Sequence, residues 1–437
     1  MALRRIERRT FLAAAAGTIA LPNLVPRSVL AAAGRPGAND RIQVGLIGAG
    51  NRCRDLTKES PQDLQLVAVA DCDLRQIPAY LAAVKDLPNS IVDARCAHYQ
   101  DYRQMLSQQK LDAVFVATTT HARVLICIDA MRAGLDVYAE KPLTLTIEEG
   151  QHLVRAQRKY RRIVQVGSQQ RSIAINNFGS DLVRGGALGK IHTVICPNFI
   201  GPEPRPVSLP SESTPSEMNW DMWCHQTDLI PYIPKLHPGL GKWGRYREYD
   251  GGGLGWGVTG WGTHALDQVQ RALGTDDTGP VEIWPEEPGP NCPVTMRFAS
   301  GTLLKLSLPK GKGPGLGAVF VGETGKIEIN RNRLASNPPE LIQGAPPPAD
   351  KSEVASVAQD HIRNWVECLR TRARPVADAE VGHRATTLCH LINICRELGR
   401  KLHWDPVKEE FSGDDQANQL RSRPRRKGYE LPSETAS

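Results

Sequence analysis

The sequence predicts an α/β protein in two parts: an N-terminal doubly wound parallel sheet of the Rossmann type, then an α+β domain on a large, mainly antiparallel open sheet. Three observations predict it. Short apolar runs alternate with helical patterns between residues 42 and 167. A glycine turn, Gly48-Ala49-Gly50, closes the first of those runs. From about residue 190 the apolar runs shorten, and Gly or Pro stands at their turns. A chain of 437 residues suits two or three domains at about 100–200 residues each.

The first 33 residues read as an address. Paired arginines, Arg8-Arg9, precede Phe11-Leu12, an apolar run over 13–21 and the small residues Ala31-Ala32-Ala33. A charged start, a short apolar core and an A-x-A end describe an export signal, and the twin arginines point to the twin-arginine machinery. The apolar run is too short to span a bilayer, which takes about 20 residues, and Pro22, Pro26 and Arg27 stop it from extending further. No other stretch reaches spanning length. The sequence thus predicts an exported, periplasmic protein with no membrane span in its mature form.

The runs at 42–47, 64–70, 111–117, 136–139 and 163–166 read as strands. Helical patterns at 74–87, 121–133 and 147–159 lie between them. Strand, helix, strand in this rhythm implies parallel βαβ units. The β-rich half comes next, at 191–200, 281–285, 294–298, 302–308, 319–321 and 326–329. Six prolines make 197–219 a long loop, and 338–351 is a second Pro-rich connector. Two helices, 354–372 and 379–400, come after it, and from residue 404 the chain reads as an arm. The expected division is a signal at 1–33, a nucleotide domain at 40–167, a substrate domain at 168–403 and the arm at 404–437. No internal repeat is visible.

Charge excludes one class of partner. The chain carries +7, but the first 33 residues hold +4 of it, leaving +3 over the rest. Nucleic-acid binders carry clustered basic stripes. The one basic run, Arg421 to Lys427, has Asp414, Asp415, Glu430 and Glu434 around it and reads as a solvated or subunit-bridging arm. The ten cysteines form no C-x-x-C and no zinc spacing, and most sit in apolar runs. They read as buried small hydrophobes, and no metal site is expected.

Gly48-x-Gly50-x-x-Cys53 follows a strand and opens a helix. Glycines permit the tight turn and the close approach of backbone to a pyrophosphate seated on the helix N-terminus. Asn51 and Arg52 belong to the same turn. Asp71, 23 residues after Gly48, ends the second strand, where a carboxylate bonds ribose hydroxyls and repels a 2′-phosphate. NAD is the expected cofactor, with Arg75 keeping NADP open. Cys53 stands where the motif has its third glycine.

Glu140-Lys141-Pro142 ends the 136–139 strand, at the edge where ligands of such sheets bind. Much later, Gly251 to Gly255 leads into Gly260-Trp261-Gly262-Thr263-His264, and a helix is expected from Thr263. Asp267, three residues on from His264, shares its helix face and is expected to orient the imidazole. Lys141, His264 and Asp267 are therefore the candidate catalytic residues. His225 and His237 are candidate substrate-wall residues. The aromatics Trp220, Trp223, Trp243, Tyr246, Trp256 and Trp261 suit either sugar stacking or packing under the long loop.

These pieces together resemble the Gfo/Idh/MocA family, the relatives of glucose–fructose oxidoreductase and inositol dehydrogenase. The matching pieces are the Gly48 turn, Asp71, Thr118-Thr119-Thr120-His121, Glu140-Lys141-Pro142, Gln165-Val166-Gly167 with Arg171, and Gly-Trp-Gly-x-His264-x-x-Asp267. The resemblance implies that Thr118, His121, Glu140 and Lys141 join the turn residues at the cofactor. It implies that Lys141 contacts both substrate hydroxyl and cofactor, that His264 is the acid/base, and that Arg171, Trp223, His237 and His264 face a sugar or cyclitol. It also implies a homodimer or homotetramer through the exposed face of the second sheet. The sequence departs from the pattern at Cys53, at Gly260, where many members carry Asp, and at Thr119 and Arg123, where the family has proline and histidine.

The expected activity is NAD-dependent oxidation or reduction of a sugar, cyclitol or glycoside hydroxyl. Two alternatives stay open. An exported enzyme cannot easily exchange NAD with a cytoplasmic pool, which favours a retained cofactor and a redox-neutral glycosidase or lyase working through a transient keto-sugar. Gly260 leaves open a non-catalytic sugar-binding protein.

Overall fold

In the computed structural model, which describes residue 37 and residues 40–88, 90–349 and 354–432, with the side chains of 354–357 not among them, one body begins at Ile42. The residues read as an export signal lie outside that description.

The first part runs β1 (Ile42–Ile47), α1 (Asn51–Glu59), β2 (Leu64–Ala70), α2 (Gln76–Val84), β3 (Val92–Tyr99), α3 (Tyr102–Gln108), β4 (Ala113–Val116), α4 (Thr120–Arg132), β5 (Asp136–Ala139), α5 (Ile147–Tyr160) and β6 (Val164–Val166). The six strands order 3-2-1-4-5-6 and pair in parallel throughout. The order reverses between β1 and β4, which opens a crevice at the strand ends. Central strands β4 and β5 are buried along their whole length, as a sheet covered on both faces requires. Two elements go beyond the sequence pattern. β3, Val-Asp-Ala-Arg-Cys-Ala-His-Tyr, is an edge strand whose charged residues face solvent, so it never forms an apolar run. α3 starts on Asp101, whose side chain accepts from the Arg103 amide.

The second part adds α6 (Ala174–Arg184), β7 (Ile191–Pro197), α7 (Trp220–Cys224), α8 (Leu240–Trp243), α9 (Trp261–Leu273), β8 (Pro280–Pro285), β9 (Val294–Phe298), β10 (Leu303–Leu308), β11 (Ala318–Gly322), β12 (Lys326–Asn330) and β13 (Arg333–Asn337). It closes with α10 (Val354–Thr371), α11 (Ala379–Leu398), β14 (Leu402–Asp405), β15 (Glu410–Phe411) and α12 (Asp415–Gln419). Nine strands order 13-12-11-7-10-9-8-14-15, antiparallel except for β7 beside β10. α6, α9 and α11 cover one face, where Val183, Leu266, Val269, Leu388 and Leu391 meet Val194, Leu304, Leu306 and Phe320.

The two parts are not consecutive blocks. α10 returns to the first sheet, burying Ile362, Trp365 and Val366 against Phe115 and Tyr138. The long segment between β7 and α9 carries no strand and only the short helices α7 and α8. It lies over the strand ends of the first sheet: the Leu74 amide donates to Glu217, the Asn219 amide to Cys72, and Gln100 to Glu217.

Candidate active site

The crevice at the β1/β4 reversal is a cleft of about 580 Å³, inside the about 300–1,000 Å³ usual for cofactor sites. Gly48 takes φ +92°, and a Cβ there would stand 2.9 Å from the Ala117 carbonyl oxygen. Only glycine lets β1 turn this tightly against β4. Gly50 caps α1 with no side-chain hydrogen bond; the Cys53 amide donates to the Gly50 carbonyl at 3.1 Å, and the Asn51 and Arg52 amides ahead of it suit an anion. Cys53 is wholly buried and its thiol donates to the Gly48 carbonyl, tying the turn from inside where the motif expects glycine.

Asp71 lines the cleft at the end of β2. Its Oδ2 accepts from the Ala49 amide at 2.7 Å and its Oδ1 from the Asp73 amide at 2.8 Å. A carboxylate has about four acceptor positions, so two remain for ribose hydroxyls. Arg75 gives its guanidinium to Asp73, at 2.7 and 2.9 Å, rather than to the cleft. These features fit NAD: a phosphate cradle, a ribose carboxylate and no free cation for a 2′-phosphate at Arg75.

At the other end stands Lys141, on a cis bond to Pro142. Its ammonium donates to the Gly260 carbonyl at 3.4 Å. Asp250, which no sequence motif singles out, lines the same cleft. It is fully buried, and its carboxylate accepts from the Thr120 hydroxyl at 2.5 Å and from the Thr259 hydroxyl. Burial pushes Lys141 below the usual lysine range while Glu140 and Asp250 pull it back. Burial pushes Asp250 up, against its two hydroxyl donors, Arg123 and Lys141. Lys141, half-buried, and Asp250, buried, line one cleft and act on each other's charge without a direct ion pair between them.

Gly260 explains itself sterically. A Cβ there would stand 2.7 Å from the Gly255 carbonyl oxygen and 3.0 Å from the Leu254 carbonyl carbon. The glycine loop 251–257 fills the space that an aspartate at 260 would need. Asp250, at the start of that loop, brings a carboxylate to the cleft.

His264 lies in the first turn of α9, which begins two residues earlier than expected. It is buried, and burial together with the charges of Lys141, Arg331 and Arg52 holds its imidazole well below the usual histidine range. It stays neutral, and it is not among the residues lining the cleft.

Several expected site residues have other roles. Asp267 does not orient His264: its carboxylate accepts from Arg171 at 2.8 Å, and Arg171 also holds Asp276 at 2.6 and 2.9 Å. Arg171 and Asp267 are 2% and 1% exposed and off the cleft, so Arg171 is not a substrate residue in this structure. Shared helix face was not enough, because a buried carboxylate is drawn to the nearest buried cation. His121 also leaves the cleft: its Nε2 pairs with the Trp223 carbonyl at 2.8 Å, and its ring packs on Trp223 and Tyr249. Arg52 and Glu140 line the cleft but are spent on each other at 2.7 Å, with Glu59 holding the rest of Arg52. Gly48, Gly50, Asn51, Asp71, Thr118, Lys141, Trp223 and His237 do line it. His237 pairs with Asp73 at 3.0 Å, which sets it at the ribose end rather than near Lys141.

The aromatic concentration is mainly packing. Trp220 stacks on Trp223 at 4.3 Å, and with Tyr232, Trp243, Tyr246 and Tyr249 they form the core of the β7–α9 segment. Trp256 packs on Trp261. The basic run after α12 folds onto its own chain: Arg425 holds Glu149 at 2.8 Å, Arg426 holds Asp221 at 2.5 Å, and the Tyr429 hydroxyl donates to Asp221. All ten cysteines are free thiols. Among the described residues, no group of three or more His, Cys, Asp or Glu could hold a metal ion, and no helix is long and apolar enough to cross a membrane.

Comparison with known proteins places this geometry. Residues 42–168 match the model of an oxidoreductase family's NAD-binding Rossmann fold, and 206–431 match that of the same family's C-terminal alpha/beta domain. Rhizopine catabolism protein MocA of Rhizobium meliloti is 23% identical over 198 residues, 45% of this chain and 59% of that protein. Inositol 2-dehydrogenase of Pseudomonas fluorescens is 32% identical over 130 residues, 29% of this chain and 36% of that protein. The matches thus span about a third to three fifths of these relatives. Among solved structures, the WlbA dehydrogenase of Bordetella pertussis, in complex with NADH and UDP-GlcNAcA, has 18% identity and a TM-score of 0.58 over 84% of this chain and 99% of that one. The aldose-aldose oxidoreductase of Caulobacter crescentus has 18% identity and a TM-score of 0.56 over 83% and 99%. With both domain models matched in order along the described body, the chain belongs to the Gfo/Idh/MocA oxidoreductase family.

Proposed function

We propose that the protein is an NAD-dependent oxidoreductase acting on a hydroxyl of a sugar, cyclitol or glycoside. One observation carries the reading: Lys141 and the buried Asp250 stand on the same cleft as the Gly48 turn and Asp71. NAD bound there supplies a hydride acceptor. The chain supplies the rest. Lys141 donates to the substrate oxygen and stabilises negative charge as it develops. Glu140 and Asp250 favour the ammonium form of Lys141 against its burial. His264, which the family resemblance makes the acid/base, is buried off the cleft in this structure and is given no proton-transfer step. Relatives named as inositol 2-dehydrogenases, and a neighbour solved with UDP-GlcNAcA, support a polyhydroxylated substrate.

The redox-neutral reading also has an observation in its favour. The β7–α9 segment covers the Asp71 end of the cleft, and the C-terminal arm fastens that segment through Arg426 and Tyr429. A cover of this kind suits a cofactor retained through many turnovers, as export by the twin-arginine route to the periplasm requires. Association into a dimer or tetramer is part of the proposal: Ile195, Leu303, Val319 and Val321 lie half-buried on the sheet face away from the helices.

One experiment separates the readings. The purified protein is denatured and its supernatant assayed for nicotinamide, then intact protein is incubated with free sugars, cyclitols and aryl glycosides. Net NADH formation supports the dehydrogenase. Turnover without net NADH supports the neutral cycle. A protein that binds no nicotinamide nucleotide and turns over nothing sinks both.

A further inference from the structure

Beyond Asp71 the cleft continues away from Lys141. Along the strand ends of the first sheet, Lys141 follows β5, the Gly48 turn follows β1, Asp71 follows β2, and Gln100 and Tyr102 follow β3 at the edge. A dinucleotide with its phosphates at the Gly48 turn and one ribose at Asp71 must send that ribose's base toward β3. The slot there is lined by Cys72, Tyr102, Ala122, Ile126 and Met222, an apolar surface suited to a flat ring.

Gln76 and Gln100 also line the cleft, and one further polar side chain there has its hydrogen-bonding atoms unspent. His225 follows Met222 at the end of α7, lines the cleft, and is completely buried. Among the described residues, neither its Nδ1 nor its Nε2 has a hydrogen-bond partner. A buried polar group of this kind ordinarily has one. Its backbone is as unusual as its ring: φ +51° with ψ −122°, a conformation that side chains other than glycine rarely adopt. The surroundings enforce it. The His225 amide donates to Asp221, its carbonyl accepts from the Arg426 guanidinium at 2.8 and 3.0 Å, and Tyr429 packs on its ring at 4.4 Å. The arm thus clamps the backbone and one face of the imidazole and leaves both nitrogens unspent.

We infer that His225, held by the C-terminal arm, recognises the purine ring of the bound dinucleotide from outside the nucleotide-binding sheet. The inference rests on the NAD reading above and deepens it. A neutral imidazole carries one donor and one acceptor. Adenine presents the complement, an exocyclic amine that donates and ring nitrogens that accept. Hypoxanthine replaces that amine with a carbonyl oxygen and changes the pattern.

The test uses the full chain and two ligands, NAD and nicotinamide hypoxanthine dinucleotide, titrated calorimetrically. Two variants are compared with wild type: His225→Leu keeps bulk, and His225→Gly accepts the positive φ without strain. Wild type is expected to prefer NAD by about tenfold, the scale of one hydrogen bond. His225→Gly is expected to bind NAD about tenfold more weakly, to lose the preference, and to melt no lower than wild type. If His225→Leu does not fold, His225→Gly decides. Either folded variant keeping the wild-type preference, including an equal loss for both ligands, overturns the role of His225. Wild type binding neither ligand overturns the NAD reading instead.

Discussion

Asp250 and Asp267 are both buried carboxylates near α9, and they have opposite settings. Asp267 is bonded to a guanidinium that a second carboxylate, Asp276, also holds. Among the described residues Asp250 has hydroxyl donors alone, and it shares the cleft with Lys141. Burial raises both, Asp267 to about 6. The shift is therefore no guide to role. What differs is where the charge is answered: inside the framework for Asp267, at the cleft wall for Asp250. A buried charge matched within the fold serves architecture, and one left to a group on the cleft is available to a ligand.

The comparison can be broken in three places. Lys141→Ala removes the lysine that shares the cleft with Asp250, and kcat should fall about 10³-fold with little change in melting; wild-type turnover would remove Lys141 from the chemistry. Asp267→Ala leaves Arg171 with Asp276 as its remaining carboxylate and should cost about 3 kcal/mol in chemical denaturation. The molecules that remain folded should turn over within about twofold of wild type. Asp250→Asn should show the reverse, with kcat down about 10²-fold, or about 2.7 kcal/mol, and nearly intact stability. If the two aspartate variants exchange phenotypes, the assignment is wrong.

A pH profile sharpens the same contrast. Asp250 sits above the usual carboxylate range and Lys141 below the usual lysine range, so both are charged only between them. kcat/KM should fall on the acid side as Asp250 takes up a proton and on the alkaline side as Lys141 loses one. Asp250→Asn should abolish the acid limb, and Asp267→Asn should keep it. The smallest effect is expected from Gly260→Ala, whose Cβ meets the Gly255 carbonyl; about 2 kcal/mol of destabilisation should appear in thermal melts.

Most of the first part was legible because its signals are local. β1, the Gly48 turn and Asp71 sit within 30 residues, and parallel strands buried on both faces must be apolar. The edge strand β3 was not legible, since one exposed face lets Asp93 and Arg95 break the run. In the second part β13 was missed for the same reason, and the arm was read as solvated because its contacts, Arg425 to Glu149 and Arg426 to Asp221, span 276 and 205 residues. Lys141 and His264 were legible from motifs. Asp250 was not, because its partners Thr120 and Lys141 lie over 100 positions away.

The sequence by itself determined the parallel sheet, the glycine turn, the ribose carboxylate and the strand-end lysine, since each arises from a backbone requirement or a short-range period. Only the tertiary structure decided that Asp250 shares that lysine's cleft. Helical spacing offered Asp267, but Arg171 arrives from 96 residues away to claim it, and the 251–257 loop excludes a side chain at Gly260 while Asp250, at its start, lines the cleft. Charge pairing in a buried site is settled by proximity in space, and proximity in space is what a linear pattern does not contain.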